Sequence, residues 1–166
     1  MNEVKIKHPE TPDLLRLHAC DQQDLQVVSA MLQDSLVTLS DMVYWAEEKR
    51  FAILFNRFCW ETHCSAAKTS KETPGQHIHG QHIHGQRIHA GCIFNDVEQV
   101  QQQGLDDSSP SQILNLLAVE WHEDKKSIHL IFSNNMAVKL STPKVNCYLK
   151  DLGDSWPTCW QPQHQA

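Results

Sequence analysis

Residues 36–61, LVTLSDMVYWAEEKRFAILFNRFCWE, constrain the fold of this chain more than any other stretch. Two apolar runs, Leu36 to Trp45 and Phe51 to Trp60, flank Ala46-Glu47-Glu48-Lys49-Arg50, a segment too charged to bury. Only Thr38 and the Ser40-Asp41 pair interrupt the first run. Two such runs joined by a short polar segment predict a hairpin. Strand side chains alternate, so Phe51, Ile53 and Phe55 share one face while Ala52 and Leu54 share the other. Both faces are apolar, which predicts a central strand covered on two sides. Asn56, Arg57 and Glu61 mark where that strand leaves full burial.

Around this hairpin the chain reads as alternating strands with one helix near each end. Residues 1–13 form a polar segment with two prolines, read as a flexible arm. Leu14 to Cys20 is a short strand. Asp21 then caps a helix whose Leu25, Val27, Val28, Met31 and Leu32 make one apolar arc ending near Ser35. Ile88, Ala90, Cys92 and Phe94 alternate, and the apolar pattern continues through Val97 and Val100. Ile113 to His122 is another strand. Ile128, Leu130 and Phe132 are separated from Met136, Val138 and Leu140 by Ser133-Asn134-Asn135, a second hairpin. Thr142-Pro143 has the chemistry of a helix start. Val145, Tyr148, Leu149 and Leu152 then fall at helical spacing, with Gly153 placed to end the helix.

The expectation is an α+β fold occupying residues 14–160, with 161–166 as a tail. A mostly antiparallel, strongly bent sheet or partial barrel of about seven strands is accompanied by a helix after the first strand and a C-terminal helix. This element order resembles the pleckstrin-homology-like outline.

Between Glu61 and Ile88 the pattern dissolves. Gln76-His-Ile-His-Gly80 recurs as Gln81-His-Ile-His-Gly85 and again as Gln86-Arg-Ile-His-Ala90. A five-residue period fits neither helix nor strand, so residues 62–86 read as a His-rich surface loop. His77, His79, His82, His84 and His89 concentrate imidazoles, which predicts incidental binding of zinc, nickel or copper. A dedicated site needs fixed geometry and supporting partners, which a glycine-containing repeat does not supply. No resident cofactor is expected. Cys59, His63 and Cys64 offer a looser metal or nucleophile constellation.

Several function classes are disfavoured. The chain carries a formal charge of −6 with no basic run longer than two residues, which argues against nucleic acid and anionic membranes as partners. No apolar stretch approaches a membrane span, and the N-terminus lacks a signal-peptide core, so a cytoplasmic location is expected. The six cysteines form no C-x-x-C pair. There is no G-x-S-x-G, H-E-x-x-H, phosphate-binding loop or G-x-G-x-x-G.

Five residues stand out as a candidate recognition surface for another protein: Asn56, Arg57, Trp60, Glu61 and Trp156. Arginine and tryptophan are enriched at binding hot spots. The competing expectation for Arg57 is an ion pair with Glu61 or Asp151. A non-enzymatic protein-binding or adaptor module is therefore the leading functional expectation. A metal-binding protein or metal-dependent enzyme using the His-rich loop is the alternative.

The chain also resembles a family of small bacterial proteins, the domain of unknown function 2948 family, found mainly in alphaproteobacteria. The resemblance rests on Asp24-Leu25 through Leu32-Gln33-Asp34, Lys49-Arg50-Phe51-Ala52 through Leu54-Phe55-Asn56-Arg57-Phe58, and Trp60-Glu61. Phe94 through Val97 and Val100, Leu114 through Val119, and Leu152-Gly153 with Trp156 extend it across roughly Leu15 to Trp160. It implies a small cytoplasmic bacterial protein and no particular activity.

Overall fold

In the computed structural model, residues 14–61, 85–106 and 108–162 are described, together with the backbone of 77–78 and 81–82. The chain begins with β1 (Arg16–Ala19) and α1 (Gln22–Leu32). Asp21 caps α1 as its composition demands: its carboxylate accepts from the Asp24 amide at 2.9 Å. The Asp24 carboxylate accepts in return from the Cys20 amide at 3.0 Å, closing a reciprocal capping pair. Leu25, Val28 and Leu32 form the buried stripe of α1.

The first apolar run is not one strand. β2 (Leu36–Thr38) and β3 (Met42–Trp45) are separated by a single 3₁₀ turn at Leu39–Asp41, where Thr38 donates to Asp41. β3 and β4 (Arg50–Phe58) form the expected hairpin, with Trp45 opposite Arg50. β7 (Gly85–Phe94), β8 (Gln99–Gln103), β9 (Ile113–His122), β10 (Ser127–Phe132) and β11 (Met136–Ser141) follow, then β12 (Cys147–Thr158). The segment between β4 and β7 holds β5 (His77–Ile78) and β6 (Gln81–His82), which pair with each other.

Ten strands make one antiparallel sheet in the order β1-β12-β7-β4-β2-β9-β10-β11-β8, with β3 paired to β4 off that path. This corrects the expectation of about seven strands. It also removes the C-terminal helix, and with it the pleckstrin-homology-like outline. Residues 147–158 are a strand held on both edges, with Leu149 opposite Leu17 of β1 and Cys92 of β7. Cys147, Leu149 and Asp151 point inward and are buried, while Tyr148, Lys150 and Leu152 point outward. Tyr148 and Leu152 make the outer face apolar as well, so two alternating faces together mimic a helical period. Gly153 is left-handed at φ +73°, but it serves a bulge where the β12–β7 register shifts between Leu152 and Trp156.

One buried cluster takes residues from every part of the sheet. Phe51, Ile53 and Phe55 of β4 meet Ala90, Cys92 and Phe94 of β7, Leu114, Leu116 and Val119 of β9, and Ile128, Leu130 and Phe132 of β10. The sheet therefore folds around its own inner face. α1 completes that core, and Ser29 accepts from the Val119 amide at 2.8 Å where β2 no longer reaches β9. A corner at Asn95–Glu98 ties the two halves. The Val97 amide donates to the Lys49 carbonyl, Tyr44 donates to the Val97 carbonyl, and the Glu98 amide donates to the Ser141 carbonyl.

β4 is central in its hydrogen bonding, with β7 on one side and β2 and β3 on the other. Its inner face is fully buried, but Leu54 on its outer face is 38% exposed. The expectation that both faces are covered holds for one face only. No helix of the described residues is long and apolar enough to cross a membrane. Residues 1–13 and 163–166 lie outside the described residues.

Candidate functional site

Arg57 continues the inner row of Phe51, Ile53 and Phe55, so alternation carries a guanidinium into the core, where it is fully buried. Two carboxylates neutralise it. Nε and Nη2 each donate to the Asp151 carboxylate at 2.7 Å, a two-pronged contact. Nη1 and Nη2 donate to Glu61 at 3.1 and 2.7 Å. Burial alone would lower the guanidinium pKa, but hydrogen bonds to Asp151 and Glu61 outweigh it and raise the value above the usual one. Asp151 also accepts from the Leu15 amide at 3.0 Å, so one arginine binds β4 to β12 and to the start of β1. Both carboxylates expected as partners of Arg57 are engaged at once.

A second arginine, Arg87, is almost as deeply buried, opposite Phe58 in the β4–β7 register, and it escapes sequence reasoning because it sits in the degraded third copy of the His repeat. It donates to the Asn56 carbonyl at 2.9 Å and its side-chain oxygen at 3.3 Å, and lies over the rings of Phe58 and Trp160. Burial lowers its pKa, opposed by the charge of the buried Asp34. Trp60 donates to the Gln33 carbonyl at 3.1 Å and packs its ring on Phe58. Cys59 is buried here, and burial, opposed by Arg57, pushes its thiol up to about 11. Such a thiol is a poor nucleophile at neutral pH.

The five residues singled out as a recognition surface thus divide. Arg57 and Glu61 form the inner clasp with Asp151, and Trp60 closes over the end of α1. Asn56 and Trp156 lie on the opposite, outer side, joined by His89: His89 stands across from Asn56 in register, and its ring meets Trp156 at 4.7 Å.

That outer side exposes large apolar side chains on several paired strands. Directly opposed residues on paired strands share a face, so the register defines its rows. His18, Tyr148, Ile93, Ala52 and Val43 form one row across β1, β12, β7, β4 and β3. Arg16, Lys150, Gly91 and Leu54 form the next, and Leu152, His89, Asn56 and Leu36 the third. Val43, Leu54, Ile93, Tyr148 and Leu152 are 37–46% exposed, values that leave a continuous apolar surface in water.

Two grooves cross this face. One of about 480 Å³ is lined by Gly91 and Ile93 of β7, by Tyr148, Lys150 and Leu152 of β12, and by Arg16 and His18 of β1. Another of about 250 Å³ lies between Leu54, Leu36, Asn56, His89 and Ile113, with Asp41 at its margin. Leu54 follows Gly91 in the same row, so the grooves are contiguous.

Along the larger groove His18 stacks flat on Tyr148, with centroids 3.9 Å apart and planes 7° apart. Cys20 lies 3.4 and 3.6 Å from the two ring nitrogens. A sulfur nearly equidistant from both nitrogens lies over the ring, out of line with either nitrogen lone pair. The geometry is stacking. Among the described residues no three His, Cys, Asp or Glu side chains converge as a metal site. Of the histidines considered for metal, His77 and His82 face each other in backbone register, His79 and His84 lie outside the described residues, and His89 is engaged with Trp156. His63 and Cys64 also lie outside them.

The outer face was legible in principle from strands apolar on both sides in a chain with too few helices to cover them. The helical spacing of residues 142–153 masks that shortage. No curated protein and no solved structure matches the chain. A family described only as a protein of unknown function, DUF2948, matches residues 15–164, which includes β1 through β12, the arginine clasp and the outer face. The chain belongs to the DUF2948 family.

Proposed function

We propose that this protein is a non-enzymatic protein-binding module that works through the outer face of its sheet. The observation that carries the reading is the apolar surface of Val43, Leu54, Ile93, Tyr148 and Leu152, continuous across four strands. Antiparallel sheets that keep one face in water normally alternate apolar-in with polar-out. Here the outer positions are apolar too, and contiguous exposed apolar surface of this kind marks interaction sites. Asn56 and Trp156 belong to the same face. Arg57 supports it from beneath by joining β4 to Asp151 of β12, with Glu61 holding the same guanidinium.

The test is untagged purification of the native chain with mass spectrometry of co-eluting proteins, alongside a Leu54→Asp/Ile93→Asp variant. Both side chains are already partly in water, so the variant is expected to keep its melting temperature within a few degrees. A stoichiometric partner present with the native chain and lost with the variant supports the reading. A partner retained by the variant, or none with either chain, overturns it.

A further inference from the structure

Resting on the outer-face reading, we propose that the occupant of the larger groove is an amphipathic α-helix of a partner protein, with acidic residues flanking its apolar stripe. Three features choose this occupant: the charge of the groove's lining, the space left at Gly91 and the width of the face.

The groove's charged lining is cationic, from Arg16 and Lys150, on a chain whose overall charge is −6. Arg16 and Lys150 stand directly opposite each other on β1 and β12. Like charges so placed repel and weaken the pairing. Neither forms an ion pair among the described residues. No carboxylate lines the groove. Fold stability alone would favour an acid opposite one of them, and an anionic group from outside would relieve both.

The groove is open at Gly91, which has no side chain. A glycine inside a strand often marks a close approach by something else. Its φ is not left-handed, so the backbone does not require glycine. A Cβ placed there would meet only the Cδ1 tip of Leu152, at 3.4 Å. What glycine provides is space between Tyr148 and Leu152.

From β1 to β4 the face spans three strand spacings, about 14 Å. A helix with its side chains is about 10 Å across. The face therefore holds a helix whose apolar stripe rests on Gly91, Ile93, Leu54 and Leu152, with its acidic flank over Arg16 and Lys150.

Three synthetic helical peptides test this by fluorescence anisotropy with the full chain. They share one leucine stripe and carry glutamate, glutamine or lysine at every other position. The glutamate peptide is expected to bind tightest and the lysine peptide weakest, by at least about tenfold, against the attraction that the chain's net negative charge gives lysine. Arg16→Glu/Lys150→Glu reverses the order. Gly91→Val fills that space and weakens all three while the melting temperature is kept or raised, since valine suits a strand.

Equal or reversed ranking with the native chain overturns the proposal, as does no binding, or tight binding that survives Gly91→Val. Self-association abolished by Gly91→Val makes a second copy the occupant, and a co-purifying fatty acid seen by native mass spectrometry makes it a small amphiphile. Either result also overturns it. If the peptides fail while the Leu54→Asp/Ile93→Asp variant still loses a native partner, the helix and its charge are wrong and the binding face stands.

Discussion

At the scale of single residues, Arg57 shows how a polar group in a core row becomes part of the architecture. Its charge is answered by Asp151, itself buried, and by Glu61 at the surface. Removing the guanidinium leaves Asp151 buried and unpaired, so Arg57→Ala should cost roughly 3–5 kcal/mol of stability, read as a lowered urea midpoint. Arg57→Met combined with Asp151→Leu should recover most of that loss, because replacing both charges removes the desolvation cost as well. If Arg57→Ala keeps full stability, the clasp is not what holds β12 to β4. The same neighbourhood sets the reactivity of Cys59. With its thiol raised to about 11 and its side chain buried, Cys59 should alkylate far more slowly at neutral pH than the exposed Cys20 and Cys159. Peptide-level mass spectrometry after brief iodoacetamide treatment checks this, and labelling of Cys59 at the rate of Cys20 would contradict it. Much of this was readable beforehand. Glu61 is four residues from Arg57, and a buried arginine needs a carboxylate. Arg87 was not readable, because the repeat around it looks like a loop while its strand pairing comes from β4, some thirty residues earlier.

At the scale of elements, β12 is where local signals and tertiary context part. Thr142-Pro143, four apolar residues at helical spacing and a terminal glycine describe a helix well. The Thr142 hydroxyl instead donates to the Lys144 carbonyl, and β1 and β7 take the following residues into the sheet from both edges. Local propensity is weak against two ladders of backbone hydrogen bonds. By contrast, α1 and the β3–β4 and β10–β11 hairpins were legible because their determinants are local: an aspartate cap, a charged turn, and the left-handed Asn134 and Asn135. Gly153 separates the two accounts of residues 147–158. In the bulge its φ of +73° penalises any Cβ, so Gly153→Ala should lower stability by about 1 kcal/mol, with Gly153→Asn costing less. Thermal unfolding of both variants is the measurement. Stabilisation by alanine would indicate right-handed backbone at that position and contradict the bulge.

At the scale of the whole molecule, the question is whether a sheet this long behaves as one unit. β3, β4, β7, β12 and β1 form one half, β9, β10, β11 and β8 the other, and the three-residue β2 alone bridges them along the sheet. So slender a bridge would let the halves melt separately if backbone pairing were all that joined them. The shared core says otherwise, since inner residues of both halves belong to one buried cluster. The corner at Asn95–Glu98 adds a second tie: Val97 is fully buried with its backbone bonded to Lys49 and Tyr44 of one half, and the Glu98 amide donates to the Ser141 carbonyl of the other. Unfolding should therefore be a single transition, with near- and far-ultraviolet circular dichroism giving the same urea midpoint. Val97→Ala, a cavity at that corner, should lower both midpoints together, by roughly 2 kcal/mol of stability. If the corner were a surface latch, the variant would split the transition. The far-ultraviolet signal would then persist after the near-ultraviolet signal had gone, and the two halves would have to be regarded as separately stable sheets.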